Sequence, residues 1–345
     1  MGTANVWILG GYQSDFARNL TREGLDFADL TAEVVDNTLS AAKVDATAIE
    51  VVHVANAFGE MFARQGHLGA MPASVNDGLW DTPAARHEAA CASGSVATLA
   101  ALSDLRSGAY RTALVVGVEL EKTVPGDTAA QHLGAAAWTG HEGAEAKFMW
   151  PYMFDRVADE YDRRYGLDDA HLRAIAQLNF ANARANPNAQ TREWTVPDPL
   201  AADDANPPIE GRLRRFDCSQ MTDGGAGIVL VTDDYLRDHP DARPIGRIDG
   251  WGTARWVWAC SRSSTAPPMT RTCSPTYGPR CSTRLTAPAS RSTTSTASRC
   301  TTASPPASTS PSTTSGSQAL ANRGKRSKTT RSNSADSCRS TPAGG

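Results

Sequence analysis

Residues 255–345 contain no histidine and no glutamate, one acidic side chain (Asp336), and only Val257, Met269, Leu285 and Leu320 from the Val/Ile/Leu/Met/Phe set. A segment so poor in apolar side chains cannot offset an ordering cost of roughly 1–2 kcal/mol per residue, so it is expected to be disordered and to build no core. The absence of histidine, with spacings of Cys260, Cys273, Cys281, Cys300 and Cys338 that match no zinc pattern, argues against a metal site there. Long apolar runs are missing throughout. Nothing approaches the roughly 20 residues of a membrane span. Val6-Trp7-Ile8-Leu9 is too short for a secretory leader and has no basic flank, so it reads as a buried strand. Without a leader a secreted disulfide framework is not expected, and the reading is of a cytoplasmic protein with reduced thiols. No dinucleotide fingerprint follows a strand either: Gly10-Gly11 lacks the third glycine and the later acidic partner.

What is present is divided unevenly. Residues 255–345 carry 13 Lys and Arg, whereas the whole 345-residue chain has a net charge of −3, so residues 1–254 are strongly acidic. Those first residues alternate between strand-like and helix-like patterns. Apolar runs occur at Val6–Leu9, Val51–Ala57, Ala113–Val118 and Ile228–Thr232. Between them, Phe27, Leu30, Val34 and Ala41 share one helical face, as do Val96, Leu99, Leu102 and Leu105 within Ser93–Arg106. The alternation predicts parallel βαβ units in a sheet covered on both faces. Residues 121–205 break this rhythm with Trp138, Trp150, an amphipathic stretch Met153–Tyr165 and a helix from about Asp168 that stops near Asn186-Pro187. They read as an inserted helical subdomain. The expected organisation is an α/β domain from 1–120 and 206–254, the helical insert at 121–205, and a basic low-complexity tail at 255–345.

The chemistry concentrates at Cys91, within His87-Glu88-Ala89-Ala90-Cys91-Ala92-Ser93-Gly94-Ser95. Small residues followed by an amphipathic helix place this thiol at or just before a helix N-terminus. Unpaired N–H groups and the helix dipole favour a thiolate there and can stabilise an oxyanion on a thioester carbonyl. The same spacing also suits a buried structural cysteine in an Ala-rich helix. His53, His67, His87, His132, His141 and His171 read as surface or internally satisfied histidines.

Several blocks, in order, carry a resemblance. They are Trp7 to Phe16, Ala89-Ala90-Cys91-Ala92-Ser93-Gly94-Ser95, Met149-Trp150-Pro151, Asn179 to Arg184 with Asn186-Pro187, and Cys218-Ser219-Gln220-Met221-Thr222-Asp223-Gly224-Gly225-Ala226. Residues 1–254 resemble the thiolase superfamily, in the branch of sterol-carrier-type thiolases and acetyl-CoA acetyltransferases that also bears the name lipid-transfer protein. The resemblance implies a layered αβαβα fold, of which this chain would hold the first half and the helical loop domain. It implies lipid-metabolic acyl transfer through an acyl-cysteine on Cys91, with coenzyme A thioesters as substrates and no permanently bound cofactor. Met149 and Trp150 fall in the implied CoA and substrate loop, and the full-length protein would be a homodimer. Two other classes stay open: a non-catalytic acyl-CoA or lipid binder, and a nucleic-acid binder acting non-specifically through the basic tail.

Family members also carry His-Asp-Cys-Phe, Gly-His-Pro and Cys-x-Gly blocks in a second half. This sequence has no histidine after His239 and no Cys-x-Gly. The tail's Arg/Ser/Thr/Pro/Ala/Cys composition is what GC-rich codons give when read out of phase. Ser298 to Pro306, back-read one base earlier with suitable codons, yields Phe-Glu-Val-His-Asp-Cys-Phe-Thr-Pro. Trp256–Arg262 and Cys338–Gly344 give further family-like strings in the same phase. The expectation is a one-base frameshift near codons 253–255, with the second half missing and the chain as written inactive. Resequencing the gene across that region from independent genomic DNA tests this. Loss of the shift, with the frame running on to Gly-His-Pro and Cys-x-Gly, would make the tail an artefact; a confirmed shift would mean a broken gene copy.

Overall fold

The computed structural model describes residues 4–195 and 205–252. The expectations for residues 255–345 lie outside the described residues. In chain order the elements are β1 (Val6–Gln13), α1 (Leu20–Glu23), α2 (Phe27–Ala42), β2 (Val51–Ala55), α3 (Gly59–Ala63), α4 (Met71–Val75), β3 (Ala84–His87), α5 (Ser93–Ser107) and β4 (Thr112–Glu119). They continue with α6 (Gly126–Gly134), α7 (Met149–Tyr165), α8 (Asp169–Ala185), the hairpin β5 (Pro208–Glu210) and β6 (Leu213–Arg214), β7 (Gly224–Thr232), α9 (Asp233–Asp238) and β8 (Gly246–Arg247). Local chemistry sets the helix ends. Asp26 accepts the Ala28 and Asp29 N–H groups while Asp29 accepts that of Asp26, a reciprocal cap for α2. Gly108 at φ 80° closes α5.

The main sheet has the order β3-β2-β4-β7-β1-β8. β2 runs parallel to β3 and β4, as the alternation predicts. β7, however, is antiparallel to both β4 and β1, so the expectation of an all-parallel sheet is corrected to a mixed one. The reason lies in the insert: Glu119, the last residue of β4, pairs with Gly224, the first of β7. The intervening chain leaves and re-enters at the same end of the sheet, so it acts as a long hairpin connection rather than a crossover.

Period-two alternation sends each strand's side chains to two apolar layers. Leu9, Val52, Val54, Leu114, Val116, Val118, Val229 and Val231 pack with Phe27, Leu30, Val34 and Leu39 of α2. Val6, Val51, Ala55, Ala113, Val115 and Leu230 pack with Ala97, Ala101, Leu102 and Leu105 of α5. Two helical faces are rotated from expectation. Ala42 rather than Ala41 enters the core, and α5 buries Ala97 and Ala101 while Val96 stays 37% exposed. Alanine at both positions lets α5 approach the sheet closely.

The α2 side of the sheet is closer still. A Cβ at Gly10 would lie 2.7 Å from the Ala42 Cα, and one at Gly227 would lie 2.3 Å from Thr38 Oγ1. Gly10 is thus a packing device, with α2 backbone where a side chain would stand, whereas a Cβ at Gly11 would meet Gly227 O and Ile228 of β7. Gly10→Val is expected to destabilise the domain by at least ~1–3 kcal/mol. Gly94→Ala, whose Cβ meets nothing within 4 Å, is expected to be neutral or to stabilise α5 by up to about 1 kcal/mol. Urea unfolding of both variants checks the contrast, and equal losses would contradict it.

Candidate functional site around Cys91

β2, β3 and β4 are parallel and end on the same side of the sheet, where a binding crevice is expected in open α/β sheets. β3 delivers the Cys91 turn there. Residues 90–92 form a single tight turn leading into α5, and Cys91 is exposed with a free thiol. Ala90 has φ 49°, an unfavourable backbone for a residue with a Cβ. Three contacts hold it. The buried Ser93 hydroxyl donates to Ala90 O at 2.7 Å and accepts the Ala89 N–H at 2.9 Å, while Glu88 Oε1 accepts the Ala90 N–H at 2.6 Å. Among the described residues no side chain caps α5, and although the Ser93 N–H bonds Ala90 O, the Gly94 and Ser95 N–H groups receive no side-chain cap.

Around the turn the strand ends carry a polar set. Asn56, buried after β2, donates to Val118 O at 2.8 Å and accepts the Gly59 N–H at 3.0 Å. Arg86 reaches Asn56 O and Ala57 O, both at 3.3 Å, and pairs with Glu60. Glu119, at the end of β4, accepts the Ala57 N–H; burial pushes its carboxyl up to about 7 despite that bond. A cleft of about 760 Å³ opens beside the turn, lined in part by Phe58, Met61, Arg86, Ala89, Ala90 and Ala136.

Of the residues singled out from the sequence, Cys91 itself does not line this cleft, which its neighbours Ala89 and Ala90 reach, and Met149 and Trp150 lie behind one wall of it. Trp150 Nε1 donates to Leu133 O at 3.0 Å in α6, and Met149 packs against Gly134. Ala135 and Ala136, next in the chain, line the cleft. Both side chains are half-buried packing groups within the insert. Asn56, Arg86 and Glu119 were missed by sequence reasoning, although a glutamate closing an apolar strand run was a visible signal. His53 is buried on β2, its Nδ1 lies 2.9 Å from His87 Nε2, and its Nε2 lies 3.2 Å from Asp104 Oδ2 on α5. Among the described residues no His/Cys/Asp/Glu group is arranged to hold a metal, and no helix is long and apolar enough to cross a membrane.

Residues 6–234 match the family model described as thiolase, N-terminal domain. Over 243 residues the chain is 27% identical to an acetyl-CoA acetyltransferase of Methanothermobacter thermautotrophicus, covering 69% of this chain and 59% of that protein. Over 249 residues it is 26% identical to the non-specific lipid-transfer protein-like 2 of Caenorhabditis elegans, covering 68% and 57%. The chain therefore spans less than two thirds of the length of these relatives. The crystal structure of human mitochondrial 3-ketoacyl-CoA thiolase in complex with CoA shares the fold, with a TM-score of 0.53 at 17% identity over 71% of this chain and 68% of that one.

Glu119 gives the site a pH signature. An acid raised in the fold from 4.5 to about 7 binds more protons folded than unfolded in that window, so its contribution to stability is lost as pH rises through it. Glu119→Gln can still accept the Ala57 N–H. It is expected to raise the melting temperature at pH 8 and leave it little changed at pH 4.5. An equal shift at both pH values would contradict the assignment.

Proposed function

This chain belongs to the thiolase family through its N-terminal domain, and from that premise we propose that it carries the acyl-accepting half of a thiolase site, with Cys91 as nucleophile. The observation that carries the reading is the Cys91 turn: an exposed thiol, one residue past a backbone held at φ 49°, directly before the uncapped start of α5. Cys91 Sγ bonds to the carbonyl carbon of an acyl-CoA thioester, the carbon–sulfur bond to CoA breaks, and the thiol proton ends on the departing CoA sulfur. The Ala90, Ala92 and Ser93 N–H groups are already bonded within the turn, so the backbone donors left to stabilise the carbonyl oxygen as it gathers charge would come from Cys91 and from Gly94 and Ser95 at the start of α5. Met149 and Trp150 brace the cleft wall along which the CoA moiety would lie.

In the family pattern His-Asp-Cys-Phe completes the oxyanion hole, Gly-His-Pro raises the nucleophile's reactivity, and Cys-x-Gly supplies the acid/base thiol needed to pass the acyl group on, whether by Claisen condensation or to free CoA in thiolytic cleavage. None of these blocks occurs in the sequence as written. The proposal is therefore a chain that accepts an acyl group without turning over. Its full-frame counterpart would be a cytoplasmic homodimeric acetyl-CoA acetyltransferase. The lipid-transfer-like relative favours a second reading, acyl-CoA or lipid binding without a covalent step.

Incubating the 345-residue chain with acetyl-CoA is expected to add one acetyl group, detected by intact mass and mapped to Cys91, and Cys91→Ala is expected to abolish it. An adduct mapped elsewhere would overturn the assignment. Binding of acyl-CoA with no adduct would support the second reading. Acetoacetyl-CoA turnover is expected to be absent, and measurable turnover would refute the half-site proposal.

A further inference from the structure

We propose that Asp104, His53 and His87 form a positioning relay that couples α5 to the carboxyl end of β3 and thereby fixes the turn carrying Cys91; this rests on the reading of Cys91 as nucleophile. The relay joins the two elements that flank the turn. His87 is the last residue of β3, and its carbonyl accepts the Asn56 N–H at 3.3 Å. Asp104 lies on the helix that begins at Ser93. Between them His53 stands on β2, 4% exposed, in a strand whose five residues are all buried. An apolar side chain would fill that place at lower desolvation cost.

The proton count is constrained. His53 Nδ1 and His87 Nε2 are 2.9 Å apart, which leaves room for one hydrogen between them. His53 Nε2 faces Asp104 Oδ2 at 3.2 Å, at an angle short of a full hydrogen bond and, among the described residues, with no other partner. A proton on Nε2 beside that carboxylate leaves Nδ1 to accept from His87 Nε2–H. One added proton can be carried by either ring with the shared hydrogen kept. A second would place hydrogens on both facing nitrogens and break the contact, so the contact survives at most one added proton. The groups acting on His53 are His87 from β3 and Asp104 from α5, while β4 presents Val115 in register.

The test is the rate of Cys91 alkylation by iodoacetamide across pH, mapped by peptide mass on the full chain, with thermal melting as the fold control. His87→Leu, His53→Leu and Asp104→Asn are expected to change the pH profile of Cys91 alkylation and to slow it at neutral pH about tenfold, as for a displaced reactive group. His87→Gln, whose amide can still donate to His53 Nδ1, is expected to stay within about twofold of wild type. Folded leucine variants with an unchanged pH profile would overturn the relay. Should those variants not fold, imidazole 15N NMR of the wild-type chain decides: a shared hydrogen with coupled titration supports the proposal, and two independently titrating rings refute it. A relay-dependent profile in a chain that takes no acyl group from acyl-CoA would sink the function proposed for Cys91 while leaving the relay standing.

Discussion

The Ser93 hydroxyl bridges Ala89 and Ala90 through two hydrogen bonds, one accepted and one donated, at 2.9 and 2.7 Å. This clasp pairs the Ala89 N–H and adds a second bond to Ala90 O, which also accepts the Ser93 N–H, and it holds Ala90 in a left-handed conformation whose cost is roughly 1–3 kcal/mol for a residue with a Cβ. With the turn closed in this way, Cys91 sits exposed, two residues before the helix. Glu88 adds a charge-assisted bond to the Ala90 N–H. The exposed thiol is thus a consequence of how the backbone polar groups of a strand-to-helix junction are satisfied.

The sheet gives that junction its surroundings. Three parallel strands end together, so Asn56, His87 and Glu119 fall on one edge. β7 returns antiparallel beside β4 and leaves the insert to rise from the same edge. Meanwhile α2 holds the opposite face at backbone distance through Gly10 and Gly227, far from the chemistry. One face of the sheet is closed by packing. On the other, α5 covers the strands with Ala97, Ala101, Leu102 and Leu105 and leaves Val96 outward.

Much of this was legible in the sequence, and the failures have physical causes. The apolar runs located β1, β2, β4 and β7, and Asp168 with Asn186-Pro187 bracketed α8, where Asp168 indeed caps the helix at 2.8 Å. β7 starts earlier than its apolar run because Gly224-Gly225-Ala226-Gly227 carries no hydrophobic signal, though it pairs along β4. β3 was missed because Ala84-Ala85-Arg86-His87 is a short edge strand without an apolar run. The mixed direction of the sheet depends on where a hundred-residue excursion re-enters, which local periodicity does not encode. The Cys91 turn was found by its small residues. The His53–His87–Asp104 contact was not, because its members come from three elements and meet only through tertiary structure.

Protection of Cys91 from limited iodoacetamide by acyl-CoA, read by peptide mapping of the full chain, is the most direct check on Cys91 as the nucleophile. Cys91 is expected to react before Cys218, whose half-buried thiol is pushed up by burial and by Asp217, and acyl-CoA is expected to remove the Cys91 label selectively. Labelling of Cys218 first, or labelling of Cys91 that acyl-CoA does not change, would contradict that role.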